Sequence, residues 1–114
     1  MREINLIVIH CSAMHESQTS CHFYIRKDGA IISTRPMEMI GAHASGYDAN
    51  SIGICYEGGL DKEGNPADTR TKEQKHSLHV LVAVMKKDYP GSRLCGHRDL
   101  NPLKVCPCFE ASTI

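Results

Sequence analysis

The order of apolar and polar residues along the chain predicts a β-rich domain. Residues 4–9 form a near-continuous apolar run, which is typical of a central strand buried on both faces, and residues 51–56 form a second run of this kind. Residues 22–32 predict a β-hairpin that turns at Asp28 and Gly29. A last short strand is predicted at residues 93–95. The remaining segments are predicted to be loops: residues 12–20, 41–51, 57–70 and 97–114.

One amphipathic helix is predicted over residues 72–89. Thr71 and Gln74 match a capping box at its start, and the pair Pro90-Gly91 ends it. The apolar residues at helical spacing are Leu78, Leu81, Val82 and Met85. Together the elements predict one α/β domain over residues 1–114.

Composition and charge exclude several classes of partner. Lysine plus arginine equals aspartate plus glutamate at 13 each, so no basic footprint for nucleic acid or an anionic membrane is present. No apolar run approaches the roughly 20 residues that span a bilayer. The first residues lack the pattern of a secretory signal, so we expect synthesis in the cytoplasm.

The chain is rich in two residue types that bind metals, with six cysteines and seven histidines. In a secreted chain, six cysteines would predict a disulfide framework. Without a visible export signal, and with Cys55 inside an apolar strand, a reduced compartment is the better interpretation. Thiolates and imidazoles together then favour zinc.

Three segments offer metal ligands. His10 ends the first predicted strand, His97 follows the last one, and Cys106 lies nine positions later in a loop that can fold back. Three protein ligands with a fourth position left to water are typical of catalytic zinc, whereas Cys108 as a fourth ligand would make the site structural. For His10 the alternative is a hydrogen-bonded histidine at a strand end.

A glycine-containing loop offers candidate ligand contacts. Gly41 precedes His43 by two positions, and glycine lets a backbone approach a ligand closely. His43 is expected either to contact a substrate or to hydrogen-bond a backbone carbonyl within the loop.

These motifs, in this order, resemble the zinc-dependent N-acetylmuramoyl-L-alanine amidase family, which includes small phage amidase lysozymes and peptidoglycan recognition proteins. The resemblance covers nearly the whole chain. The matching segments are Val8-Ile9-His10-Cys11-Ser12-Ala13, His22-Phe23, Arg26-Lys27-Asp28-Gly29, Gly41-Ala42-His43-Ala44, Asn50-Ser51-Ile52-Gly53-Ile54, Glu57-Gly58-Gly59, Gly96-His97-Arg98-Asp99 and Lys104-Val105-Cys106-Pro107.

The resemblance implies a mixed central β-sheet with flanking helices and hydrolysis of the amide between N-acetylmuramic acid and L-alanine. The substrate would be peptidoglycan or a muropeptide, reached after release or delivery to the cell wall, and one Zn²⁺ would be bound per chain. The implied site residues are the zinc ligands His10, His97 and Cys106, the catalytic helper Lys104, and the substrate-binding residues His43, Tyr47 and Asn50.

The chain departs from the family pattern at two internal places. Cys21 occupies the position of a catalytic tyrosine, so it is either a weak proton carrier or a small core residue, and strand alternation predicts Tyr24 on the opposite face. Only eight residues separate Ala13 from His22, where relatives carry a helix. We therefore expect one flanking helix to be reduced or missing, a thinly covered part of the sheet, and possible self-association.

The chain also stops soon after Cys108, where relatives continue into another helix. Two alternative functions stay open beside the amidase. One is a peptidoglycan-binding relative that keeps the zinc site but has weak or no turnover, and the other is a different zinc hydrolase on the same scaffold.

Overall fold

The computed structural model describes residues 2–14 and 18–114 and contains a mixed five-stranded sheet. The strands lie in the order β3-β2-β4-β1-β5. Strand β1 is parallel to β4 and β5, β2 is parallel to β4, and β3 is the antiparallel edge. The mixed sheet implied by the sequence is confirmed. The strands are β1 (Leu6–Cys11), β2 (Phe23–Ile25), β3 (Ile31–Ser33), β4 (Ser51–Tyr56) and β5 (Arg93–Gly96).

The predicted helix is present as α1, Lys72–Asp88. The Thr71 hydroxyl oxygen accepts from the Gln74 backbone N–H at 3.1 Å, and the Gln74 side-chain oxygen accepts from the Thr71 N–H at 2.9 Å, so the capping box is confirmed. A second helix, α2 (His97–Leu100), replaces the start of a predicted loop. Within the described residues, no helix is both long and apolar enough to cross a membrane.

One face of the sheet packs against α1, and we call it the helix face. The fully buried Gln74 side chain joins helix to sheet, because its amide donates to the carbonyls of Ile25 at 3.2 Å and Glu57 at 2.9 Å. The apolar residues of this contact are Ile7, Ile9, Ile52, Ile54, Leu78, Leu81, Val82 and Met85.

The opposite face carries His10 and is covered by imidazole rings, so we call it the histidine face. The His43 ring lies over Gly53, and the Gly53 N–H donates to His22 Nδ1 at 3.1 Å. Several strand residues on this face are buried: Val8, His10, Ser51, Gly53 and Cys55.

The burial of these strands tests the expectation that the loss of a flanking helix leaves part of the sheet thinly covered. Residues 15–17 lie outside the described residues, and around them the chain forms two 3₁₀ turns, Ser12–Met14 and Gln18–Ser20. Val8 and Ser51 are nevertheless fully buried, so the sheet is not thinly covered there. Apolar exposure is found instead at the edge strand, where Ile31 is 41% exposed. Self-association stays a prediction.

Candidate metal centre and active-site cleft

The structure brings the three predicted metal ligands together at one end of the sheet. His10 lies near the carboxyl end of β1, and His97 directly follows the parallel strand β5. The ligand atoms of His10, His97 and Cys106 all lie within 4.8 Å of one another. Carboxyl ends of parallel strands share one edge of a sheet, which is why residues so distant in sequence meet here.

The donor set fits zinc. His10 Nδ1 lies 3.8 Å from Cys106 Sγ, and the usual zinc–nitrogen and zinc–sulfur bond lengths give a tetrahedral N···S separation of about 3.6 Å. The ring centroids of His10 and His97 are 4.8 Å apart. Two imidazoles and one thiolate form a set that zinc accepts, and three protein ligands are the number found in catalytic sites.

Backbone groups hold Cys106 in place. The Cys11 N–H donates to Cys106 Sγ at 3.1 Å, and the Arg98 N–H donates to the Cys106 carbonyl at 2.8 Å. The first bond points a backbone N–H dipole at the sulfur. The thiol is therefore fixed both to the end of β1 and to the helix that carries His97.

The loop beyond Cys106 packs against the sheet with little spare room. Tyr56 donates its hydroxyl hydrogen to the Pro107 carbonyl at 2.7 Å. A Cβ at Gly96 would lie only 2.6 Å from Pro107 Cδ, so glycine permits this approach. The Arg70 guanidinium lies over the Phe109 ring, 3.5 Å from its centroid.

Cys108 does not join the ligand group. Its Sγ lies 3.9 Å from Cys11 Sγ and 3.5 Å from the Gly59 carbonyl oxygen. Burial raises the pKa of the Cys108 thiol to about 12. Within the part of the chain that the structure describes, the group that could hold a metal ion consists of His10, His97 and Cys106 without Cys108.

His43 lies behind His10 and not in open solvent. Its side chain is 0% exposed, and its Nδ1 is 2.9 Å from His10 Nε2. Its Nε2 is 3.1 Å from Ser51 Oγ. The ring therefore contacts His10, which the sequence did not predict. His43 is also among the residues that line the cleft, so its contact with a substrate stays a prediction.

A cleft of about 440 Å³ opens beside the ligands. His97, Lys104 and the 42% exposed Tyr47 line it. Asn50 borders a neighbouring cavity that shares Tyr47, and its side-chain amide donates to the Glu3 carbonyl at 3.0 Å. Lys104 and Tyr47 thus share a cleft with His97, whereas the Asn50 side chain is bonded to the start of the chain.

Cys21 is a buried residue, 1% exposed, in a cluster with Tyr24 and Cys55. Two effects raise the pKa of the Cys55 thiol: the larger is its hydrogen bond with Cys21, and the next is burial. The expectation that Tyr24 lies on the face opposite residue 21 is wrong. Strand β2 begins only at Phe23, so strand alternation does not extend back to Cys21.

The sequence interpretation missed the partners of His43. Ser51 contacts the ring, and Asp48 accepts the backbone N–H groups of His43 and Ala44 at 3.0 and 2.8 Å. One available signal was Gly53, because glycine inside a strand often marks a close approach.

Comparisons with known proteins show the family of this chain. Residues 1–109 match the family described as N-acetylmuramoyl-L-alanine amidase. An endolysin of Klebsiella phage KP32 is 34% identical over 127 aligned residues, covering 96% of this chain and 83% of the relative. The N-acetylmuramoyl-L-alanine amidase LysC from Clostridium intestinale URNW has a TM-score of 0.80 at 28% identity, over 96% of this chain and 79% of that one.

A more distant structure shares the fold. A mutant of Drosophila PGRP-LB in complex with tracheal cytotoxin has a TM-score of 0.78 at 24% identity, over 100% of this chain and 81% of that one. The family match spans β1 to the loop after Cys106 and includes every residue of the ligand group. The chain therefore belongs to the N-acetylmuramoyl-L-alanine amidase family of enzymes.

Proposed function

We propose that this chain is a zinc-dependent hydrolase of bacterial peptidoglycan that cuts the amide between N-acetylmuramic acid and L-alanine. Residues 1–114 form its catalytic domain. The observation that carries the proposal is the convergence of His10, His97 and Cys106 within 4.8 Å beside a cleft. Family membership supports the choice of bond.

The chemistry begins with an amide that resists water at neutral pH. Zinc held at such a site acts as a Lewis acid and lowers the pKa of bound water to about 7. His97 faces the cleft, so a scissile carbonyl bound there lies beside the ligand group. His10 and Cys106 are buried and hold the centre from behind.

Lys104 supplies the charge that hydrolysis needs. Lys104 is exposed and lines the same cleft as His97. When the carbonyl becomes tetrahedral, its oxygen gains negative charge, and a cation already in position stabilises that charge. Tyr47, which lines the same cleft, binds the glycan or peptide beside it.

Cys21 is assigned to the core. It is 1% exposed and hydrogen-bonded to Cys55, which supports a packing role over proton transfer. The lack of a tyrosine at this position favours the second candidate function, a peptidoglycan-binding protein with weak or no turnover. That protein would keep the ligand group and the cleft.

Digestion of purified peptidoglycan, analysed by mass spectrometry, separates these functions. The proposed activity releases peptide stems with a free L-alanine amino group and leaves intact lactyl ends on the glycan. A chelator should stop the release, and added zinc should restore it. Sedimentation with the wall but no cleavage would establish the binding function, and cleavage at another bond would establish a different hydrolase.

A further inference from the structure

A buried imidazole on the histidine face has no role in the proposed hydrolysis. The His43 ring is enclosed between two glycines, since a Cβ at Gly41 would lie 2.5 Å from the ring and one at Gly53 would lie 2.8 Å from it. The side chain is 0% exposed. The ring is therefore closed off from solvent, although His43 is among the residues that line the cleft.

The contact between His43 and His10 determines which nitrogen of His10 is available to a metal. His10 Nδ1 faces Cys106 Sγ at 3.8 Å, and His10 Nε2 faces His43 Nδ1 at 2.9 Å. A neutral imidazole carries one proton and one lone pair on its two nitrogens. For the Nδ1 lone pair to face the ligand group, the proton of His10 must lie on Nε2, where it is donated to His43 Nδ1.

The far side of the His43 ring completes the orientation. Because His43 Nδ1 accepts a hydrogen bond, the proton of His43 lies on Nε2, which is 3.1 Å from Ser51 Oγ. Asp48 Oδ1 is 3.7 Å from the same nitrogen and also accepts the His43 backbone N–H at 3.0 Å. The loop and strand β4 together hold the ring in one direction.

We infer that His43 is a positioning residue for the metal centre, which accepts the Nε2 proton of His10 and so directs the Nδ1 lone pair of His10 toward His97 and Cys106. The inference rests on the proposed zinc-dependent function and assigns His43 to the metal centre instead of the substrate. Ligating histidines generally donate their second nitrogen to an acceptor, and changing that acceptor typically costs roughly 10–100-fold in metal affinity.

Two substitutions at His43 separate the acceptor from the bulk of the ring. His43→Leu fills the space without an acceptor. His43→Asn places an amide oxygen on the atom that bears Nδ1 in histidine, so it can accept the same proton. We expect His43→Leu to weaken zinc binding by about 10–100-fold and His43→Asn to lie close to the native affinity.

His22 provides the matched control. It is another buried histidine on the same face, and its ring lies 6.0 Å from that of His43. Its contacts include the Gly53 N–H, the Met39 carbonyl and the Arg2 guanidinium. His22→Leu should lower the free energy of unfolding and leave zinc affinity unchanged. Zinc affinity would be measured by competition with a chelator, and the visible spectrum of the cobalt-substituted protein would report the ligand geometry.

The outcomes are separable. Equal zinc affinity in the native chain and His43→Leu would overturn the inference, and so would equal losses in His43→Leu and His43→Asn, or in His43→Leu and His22→Leu. Circular dichroism and the unfolding free energy of each metal-free variant establish that the compared proteins are folded. A native chain that binds no zinc would refute the proposed function itself, and the inference would fall with it.

Discussion

The two faces of the sheet are both buried, but different groups bury them. On the helix face, Ile9 and Ile54 meet apolar side chains of α1 such as Leu78. On the histidine face, His10 and His43 are buried with directed hydrogen bonds. Apolar burial depends on area and tolerates small shifts, whereas a buried polar group is costly unless its partner stays within bonding distance.

This difference separates the tasks of the two faces. The helix face supplies free energy of folding with no chemistry of its own. The histidine face supplies the ligand group, and its packing is part of that chemistry because the same bonds that fill the space orient His10. The faces meet at Cys106, whose thiol is a ligand while its loop packs into the helix-face core through Phe109. Substitutions on the two faces should therefore give different combinations of stability and activity.

The largest effect is expected for His97→Ala. His97 is half-buried at the start of α2, so its removal deletes a ligand and should leave the fold intact. We expect loss of bound zinc and of all peptidoglycan cleavage. Metal analysis and the muropeptide digest would measure both, with His76→Ala on the exposed side of α1 as the control. Retained zinc in His97→Ala would remove His97 from the centre.

Lys104 tests whether the cleft contributes charge separately from the ligands. We expect Lys104→Ala to bind zinc normally and to lose about 10²–10³ in the rate of amide cleavage, the usual effect of removing one oxyanion partner. Zinc content and turnover would be measured on the same preparation. A loss of metal equal to that in His97→Ala would show that Lys104 is structural.

On the helix face, Leu78→Ala should have the opposite effect: it should lower stability and leave turnover unchanged. Leu78 is fully buried, and Leu78→Ala should cost about 2–5 kcal/mol of unfolding free energy through lost contacts and a cavity. Because Leu78 lies across the sheet from the ligands, turnover per folded molecule should be unchanged. Denaturant unfolding and the muropeptide digest provide the two measurements. A drop in zinc affinity among the folded molecules would mean that the faces are coupled through the sheet.

Gly96→Ala tests the contact between Gly96 and Pro107, in the loop where the two faces meet. A methyl group there would overlap Pro107, which must move and take Cys106 with it. We expect Gly96→Ala to lower the unfolding free energy by about 1–3 kcal/mol and to weaken zinc binding. Gly91→Ala is the control, because nothing lies within 4 Å of a Cβ at Gly91. Equal behaviour of the two variants would show that the Cys106 loop is not held by this contact.

The sequence predicts the helix face and the ligand group well, and the neighbours of the ligands poorly. Helical spacing and the capping box locate α1 to within one residue, and the apolar run at β4 is placed correctly. Both signals are local, since they depend on neighbouring residues in the chain. The ligand group was also predicted, because strand ends and a following loop restrict where His10, His97 and Cys106 can lie.

The neighbours of the ligands depend on contacts between distant segments. The direction of the His43 ring is set by Ser51, Gly53 and His10, and no sequence period encodes that combination. Cys21 was misplaced relative to Tyr24 because alternation was applied to a residue that precedes its strand. Local pattern thus identifies which residues carry chemistry, while tertiary packing decides what each of them contacts.

The smallest predicted effect is a loss of stability in acid that arises on the histidine face. Burial lowers the pKa of His22 from 6.5, and its Nδ1 accepts the Gly53 N–H while its Nε2 lies 2.8 Å from the Met39 carbonyl. The folded state holds the neutral ring, whereas the unfolded chain takes up a proton as the pH falls through 6.5.

The contribution of His22 to the unfolding free energy is therefore fully present above pH 6.5. It is lost as the pH falls from 6.5 toward the lowered pKa of the folded state. One group of this kind contributes at most about 1.4 kcal/mol per pH unit. The measurement is the unfolding free energy of the metal-free protein at about pH 7.5 and about pH 5.5, on either side of the ordinary histidine pKa. His22→Gln offers an acceptor and a donor without titrating, so its loss between the two conditions should be smaller than that of the native chain. An equally steep loss in His22→Gln would assign the acid sensitivity to another group.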